Sequence, residues 1–326
     1  MKILAYSYRA DETMYFQEFS KKYKVEVVLC NDAPNMKNAE LARGFQCVSI
    51  VTTPISGELV EKFHEMGVKF ISTRTIGYDH IDIEKARQLD MHVGNVTYSP
   101  SSVADHTVMV ILMTIRKMKA IMECASVQDY SLKGVQGREL HNLTVGVIGT
   151  GKIGQRVIRN LSGFGCKIIA HSSHENEDVK KYATYVSLEE LLKNSNIITL
   201  HIPARKNNYH IIDKNSIDMM KDGVFIINTA RGSLINTDDL IEGIEQKKIA
   251  GAALDVIEHE SNLYYNNLKC EILDNRQLAI LKSYPNVIIT PHTAFYTDQS
   301  VSDMIENSIL SCILFIEGKE NPWQVV

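Results

Sequence analysis

Residues 144–154 read Thr-Val-Gly-Val-Ile-Gly-Thr-Gly-Lys-Ile-Gly, an apolar run that meets Gly149-x-Gly151-x-x-Gly154. The helix-forming stretch Gln155-Arg-Val-Ile-Arg-Asn-Leu161 follows at once. Strand, glycine turn and helix in that order constrain the fold more than any other part of the chain. Gly149 permits the tight turn, Gly151 lets backbone approach a pyrophosphate, and Gly154 allows close helix–strand packing. The helix N-terminus offers free N–H groups and the positive end of its dipole to phosphates. Gly149, Gly151, Lys152, Ile153 and Gly154 are therefore candidate dinucleotide-binding residues. A second apolar strand, Cys166-Lys-Ile-Ile-Ala170, follows at the distance of a βαβ unit.

The chain's 326 residues suit two domains better than one, and 44% hydrophobic residues allow a large core. A net charge of −4 argues against a general nucleic-acid binder. The six cysteines contain no Cys-x-x-Cys pair, so neither a metal site nor a disulfide framework is expected; buried free thiols are. The N-terminus enters a strand pattern without a signal-peptide core, and the apolar run 108–115 is too short to span a bilayer. A cytoplasmic protein without membrane contact is the expectation.

Short strands at 2–6, 25–29, 47–51, 70–72 and 92–96 alternate with helices at 11–22, 56–66 and 83–88, which makes a small α/β unit. Pro100 breaks the pattern, and Ser101 or Ser102 is placed to cap one helix over 103–127. A more regular series then puts strands at 145–148, 167–170, 197–201, 223–228, 249–255 and 287–290, and a last helix over 297–317. Near-continuous apolar strands suit a parallel sheet covered on both faces. The glycine turn sits mid-chain, so the expected architecture is α/β with two Rossmann-like domains. A doubly wound dinucleotide domain (101–296) is inserted into a smaller flavodoxin-like domain (1–100 plus 297–326).

Three islands lie just after strands: Asn228-Thr-Ala-Arg231-Gly, Asp255-Val-Ile-Glu-His-Glu260 and Pro291-His292-Thr-Ala. An open parallel sheet places its ligand loops at that edge. Arginine grips a carboxylate through two parallel hydrogen bonds, histidine exchanges protons near neutrality, and a carboxylate beside histidine orients it and favours its charged form. Taken singly, each island reads as surface or turn; together, beside a dinucleotide fold, they read as a site.

These motifs, with Thr73-Arg-Thr-Ile76-Gly77-Tyr-Asp79 and Asn95-Val-Thr-Tyr98-Ser-Pro100, make the chain resemble the D-isomer-specific 2-hydroxyacid dehydrogenases over essentially its whole length. Within them it is most similar to the D-lactate dehydrogenases, including the vancomycin-resistance type. The resemblance implies that Arg231 binds the substrate carboxylate and polarises the ketone. It makes His292 the acid that protonates the carbonyl oxygen, and Glu260 the group that supports the protonated form. Main-chain N–H groups of Ile76 and Gly77 would hold the carboxylate, with Tyr98, Tyr296 and Arg9 lining the pocket. Ile202, Pro203, Asn208, Thr229, Ala230 and Asp255 would surround the cofactor's ribose and nicotinamide. The same resemblance implies a homodimer packed through the apolar helix at 103–127.

One position departs from the family pattern. NAD-specific members carry an acidic residue at the end of the second cofactor strand, where Ser172 stands in His171-Ser-Ser-His174. NAD is the expected cofactor, and no carboxylate excludes NADP. The implied activity is reversible reduction of a 2-keto acid, first of all pyruvate, to the D-2-hydroxy acid. The alternatives are a preference for larger aromatic or branched 2-keto acids, or a dinucleotide-sensing corepressor-like regulator on the same fold.

Overall fold

The apolar segments pair as parallel strands in two separate sheets of the computed structural model, which describes residues 1–260 and 263–326. The chain divides into two units, Met1–Ser99 with Tyr296–Val326, and Pro100–Phe295.

In the first unit, β1 (Lys2–Ala5), β2 (Glu26–Leu29), β3 (Cys47–Ile50), β4 (Phe70–Thr73) and β5 (His92–Gly94) form a sheet of order β2-β1-β3-β4-β5. That is the flavodoxin-like winding. β3 and β4 are buried on both faces, and Ser49, Ser72 and Thr73 are buried with their apolar neighbours. The long helix Asp298–Ile316 covers one face with Val301, Ile305, Ile309 and Cys312, packed in one cluster with Phe16, Phe19 and Phe70. Its Ser308 hydroxyl lies 2.8 Å from that of Ser49 and 2.9 Å from that of Ser72, so the core's polar atoms pair with one another. Val325 N donates to Val93 O (2.7 Å) and lays the chain's last residues along β5.

In the second unit, β6 (Thr144–Ile148), β7 (Lys167–His171), β8 (Thr184–Tyr185), β9 (Ile197–Leu200), β10 (Val224–Asn228), β11 (Ile249–Leu254) and β12 (Val287–Ile289) form a sheet of order β12-β11-β10-β9-β6-β7-β8. The winding reverses between β6 and β9, and ligands of such sheets bind at the carboxyl ends of the strands around that point. Two clusters of buried aliphatic side chains cover the two faces.

Two expectations need correction. The single helix over 103–127 is two helices, Pro100–Ile115 and Met118–Ser126. Lys117 adopts a left-handed conformation (φ +54°) and ends the first, while its Nζ donates to Gly134 O (2.8 Å). Lys119 Nζ then donates to Lys282 O (2.8 Å) and Tyr284 O (2.6 Å), anchoring the second helix on its new course. The two-residue β8 was not anticipated, because a strand that short carries no periodic signal.

Candidate active site

The glycine turn shows what each glycine is for. Gly149 has φ +99°, and a Cβ there would lie 2.5 Å from His201 O. A Cβ on Gly154 would lie 2.0 Å from Gly149 O, so helix Lys152–Ser162 sits as close to the turn as backbone allows. A Cβ on Gly151 would meet nothing within 4 Å. Packing therefore explains the first and third glycines but not the second, whose open face fits the phosphates of a dinucleotide.

The loop after β9 holds Ile202, Pro203 and Asn208. Asn208 Nδ2 donates to Pro203 O (2.8 Å) and its Oδ1 accepts Arg205 N–H (2.7 Å), which fixes the loop's shape. At the end of β10, Asn228 Oδ1 accepts Ala230 N–H (3.0 Å) while its Nδ2 donates to Arg231 O (2.8 Å). The Asn228 side chain thus shapes the turn that carries Thr229, Ala230 and Arg231. Thr229 Oγ1 pairs with Thr107 Oγ1 (2.9 Å), and Arg231 Nη1 donates to Ala230 O (2.8 Å).

Arg231, Glu260 and His292 follow β10, β11 and β12, three neighbouring strands, so all three arrive at one sheet edge. Glu260 Oε1 lies 2.7 Å from His292 Nδ1, and its Oε2 accepts Ile257 N–H at 3.1 Å. The carboxylate is thereby anchored at one oxygen and presented at the other. An ionised carboxylate only accepts, so Nδ1 carries the hydrogen and Nε2 is the ring's remaining functional edge. The Arg231 turn presses on the same loop: a Cβ on Gly232 would lie 2.1 Å from the Ile257 carbonyl.

Asp255 builds the loop that carries the histidine. Its Oδ1 accepts Thr290 Oγ1–H (2.6 Å) and Thr293 N–H (2.9 Å), and its Oδ2 accepts Ala294 N–H (3.0 Å). Its main-chain carbonyl accepts His292 N–H (2.8 Å). These bonds hold His292 at φ +52°, a region costly for a non-glycine residue and found mostly where structure over-determines it. Tyr265 Oη also donates to His292 O (2.8 Å). His106 was not anticipated as part of this arrangement. Its Nε2 lies 3.2 Å from Thr290 Oγ1 and 3.8 Å from Asp255 Oδ1, and burial lowers its pKa despite that carboxylate.

The first unit holds the other expected residues. Thr75 Oγ1 donates to Gly77 O (2.6 Å) and Asn95 Nδ2 to Ile76 O (2.8 Å), so side chains occupy both carbonyls of this turn. Neither N–H of Ile76 and Gly77 donates to an acceptor among the described residues. Two consecutive N–H groups in this turn are thus available to a ligand oxygen. Tyr98 is half-buried and follows Thr97, whose carbonyl accepts Asn307 Nδ2–H (2.7 Å) and whose hydroxyl accepts Trp323 Nε1–H (3.2 Å).

Arg9 and Tyr296 meet directly, the guanidinium carbon 5.3 Å from the ring centroid. Tyr296 Oη donates to Asp11 Oδ2 (2.6 Å), a bond that, with some burial, raises the phenol's pKa. Behind them lies a charge cluster that local sequence did not reveal. Glu12 is buried between Arg9 (3.0 Å) and the fully buried Arg74 (3.7 Å). Arg74 Nη1 donates to Ser49 Oγ and Nη2 to Tyr6 O, each at 3.0 Å.

Comparison with known proteins agrees with this geometry. Residues 108–294 match the family profile of the D-isomer-specific 2-hydroxyacid dehydrogenase NAD-binding domain. An aromatic 2-oxoacid reductase of Clostridium sporogenes is 47% identical over 95% of both chains. A D-lactate dehydrogenase of Lactiplantibacillus plantarum is 37% identical over 100% of this chain and 99% of its own. The NAD-complexed D-isomer-specific 2-hydroxyacid dehydrogenase of Lactobacillus delbrueckii superposes with a TM-score of 0.87 at 30% identity, covering both chains fully. With its NAD-binding turn and its linked histidine and glutamate, this chain belongs to the D-isomer-specific 2-hydroxyacid dehydrogenases, oxidoreductases that use NAD.

Proposed function

We propose that the chain reduces a 2-oxo acid to the D-2-hydroxy acid with His292 as proton donor and Arg231 as carboxylate ligand. The observation that carries the proton step is the His292–Glu260 pair, 2.7 Å apart and anchored at Ile257. When bound, reduced nicotinamide would supply the hydride for the carbonyl carbon. Protonated His292 gives its Nε2 proton to the carbonyl oxygen, and the neutral ring keeps its Nδ1 hydrogen on Glu260. The Arg231 fork binds the carboxylate and draws charge from the ketone. The Ile76 and Gly77 N–H groups are the proposed second hold on that carboxylate, with Arg9, Tyr98 and Tyr296 as side-chain contacts. In this reading residues 1–100 and 297–326 carry substrate, and residues 101–296 carry NAD through Gly149–Gly154, Ile202, Pro203, Asn208, Thr229 and Ala230. Asp255 acts from behind, through the His292 loop.

For the substrate side chain, similarity favours an aryl group: the relative with 47% identity is named for aromatic 2-oxo acids. Pyruvate, the expectation from sequence, is supported by the relative named for D-lactate at 37% identity. Steady-state oxidation of NADH with phenylpyruvate, 4-hydroxyphenylpyruvate, a branched 2-oxo acid and pyruvate ranks them, and chiral chromatography of the product tests the D configuration. An L product refutes the D configuration, and no turnover of any of the four refutes the proposal and leaves the corepressor-like regulator as the reading to pursue.

We further propose a homodimer. Val108, Met109, Leu112, Met113, Arg116 and Met118 line an apolar surface hollow of about 530 Å³, and Met109 and Met122 are 45% and 60% exposed. An apolar patch of that kind marks an interface, and a second copy is the occupant that the resemblance implies.

A further inference from the structure

We infer that the adenosine end of the dinucleotide site accepts a 2′-phosphate, so that this chain binds 2′-phosphorylated dinucleotides alongside NAD(H). The inference rests on the dinucleotide reading of the Gly149–Gly154 turn, and the experiment below separates the two. In a sheet of this winding, the residue that closes the second strand, about 20 positions beyond the glycine turn, meets the adenosine ribose. A carboxylate there binds both ribose hydroxyls and repels a phosphate.

The structure fixes which residue holds that place. β7 pairs with β6 so that His171 stands opposite Ile148, and Gly149 N donates to His171 O at 2.8 Å. Ser172 comes next, beside the turn. The segment beyond it is tied to the same turn. Thr150 Oγ1 donates to His174 O (3.4 Å), and Tyr185 Oη both donates to Thr150 Oγ1 (2.8 Å) and accepts Asn176 N–H (2.9 Å). Residues 172–174 are thus held in place by the glycine turn and β8.

The side chains of this segment are two hydroxyls and an imidazole, with Ser173 Oγ 3.0 Å from His174 Nδ1. Each hydroxyl can donate a hydrogen to a phosphate oxygen or exchange hydrogen bonds with a ribose hydroxyl, so neither ligand is refused. The first acids along the chain are already ion-paired. Glu175 and Glu177 both hold Lys180 (2.9 and 2.8 Å), and Asp178 holds Lys181 (2.5 Å). Arg159, on helix Lys152–Ser162, also acts electrostatically on Asp178. Three acids thus face three cations, and no unpaired carboxylate of this segment faces the phosphate position.

Calorimetric titration of the whole protein, without substrate, with 5′-AMP, 2′,5′-ADP, NADH and NADPH at one ionic strength tests this. The expected result is that 2′,5′-ADP binds within about tenfold of 5′-AMP, and NADPH within about tenfold of NADH. Ser172→Asp, checked for an unchanged melting temperature, should weaken 2′,5′-ADP by more than about tenfold relative to 5′-AMP, because it restores the repulsion and the ribose bonds together. Parental 2′,5′-ADP binding more than about tenfold weaker than 5′-AMP overturns the inference and leaves the dinucleotide reading standing. So does a Ser172→Asp variant that binds both nucleotides like the parent. Failure of all four ligands to bind overturns the dinucleotide reading, and the inference with it.

Discussion

Alanine placed singly at the three glycines of the 149–154 turn should separate folding from binding. At Gly149 the new side chain takes a φ of +99° and puts its Cβ 2.5 Å from His201 O. The left-handed conformation costs about 1–2 kcal/mol and the overlap about 1–3 kcal/mol more. At Gly154 the Cβ comes to 2.0 Å from Gly149 O and 3.0 Å from its carbonyl carbon, backbone that has no flexible end to yield; the overlap again costs about 1–3 kcal/mol or more. At Gly151 the backbone (φ −68°, ψ −173°) suits any residue and the Cβ meets nothing. Lost freedom in the unfolded chain stabilises that variant by about 0.4–1 kcal/mol, and the poorer N-cap takes back a similar amount. Gly151→Ala should therefore unfold in urea at the parental midpoint. If phosphates fill the open face of Gly151, its methyl group costs about 1–3 kcal/mol of binding, or about 5- to 150-fold in the calorimetric Kd for NADH. Parental NADH affinity in Gly151→Ala, or parental stability in Gly154→Ala, would refute the reasoning.

Four further outcomes are expected. His292→Ala should lose far more in kcat than in NADH affinity, and Arg231→Lys should also be severely impaired, because an ammonium cannot reproduce the guanidinium fork; near-parental turnover in either disproves the assigned roles. Glu260→Gln keeps an acceptor for His292 Nδ1 but removes the charge, so kcat for reduction should fall while NADH affinity stays parental; parental kcat makes Glu260 an orienting group only. Burial lowers the His201 pKa to about 3 against about 6.5 unfolded, so the folded state binds fewer protons between those values. Stability present above pH 6.5 is then lost as pH falls towards 3, by at most about 1.4 kcal/mol per pH unit, the limit for a single proton; His201→Asn should show a smaller drop in unfolding free energy from pH 7 to pH 5. Light scattering at micromolar concentration should give the mass of two chains, and Met109→Glu should return one; a parental monomer sinks the dimer.

What sequence reveals here follows from the range of the interactions. β9 and β10 are apolar along their length because both faces are covered, so composition alone marks them. The glycine turn is legible because its constraints act within six residues. Arg231, Glu260 and His292 were legible as chemistry after strands, while their arrival at one sheet edge, and Glu260 meeting His292, depend on strand order, which only the folded sheet displays. The break at Lys117 carries no glycine or proline to announce it, and its cause lies in partners at Gly134, Lys282 and Tyr284. The burial of Glu12 was hidden for the same reason: besides the local Arg9, its second partner, Arg74, stands 62 positions away. Asn228 was visible in its motif, but its work of bracing both sides of the turn appears only as hydrogen bonds.

The left-handed backbone at His292 makes its loop a loaded spring whose latch is Asp255. Three hydrogen bonds to that carboxylate hold the loop's shape, and the histidine stays in its costly conformation while the latch holds. Releasing the latch lets the backbone relax to negative φ, which swings the imidazole off Glu260 while the sheet beneath stays intact. A single substitution outside the His292–Glu260 pair, Asp255→Asn, should therefore disarm the enzyme and leave a well-folded protein. Position 292 also selects its own replacements: asparagine tolerates left-handed backbone and would keep the loop's shape, whereas valine or isoleucine would force the loop open.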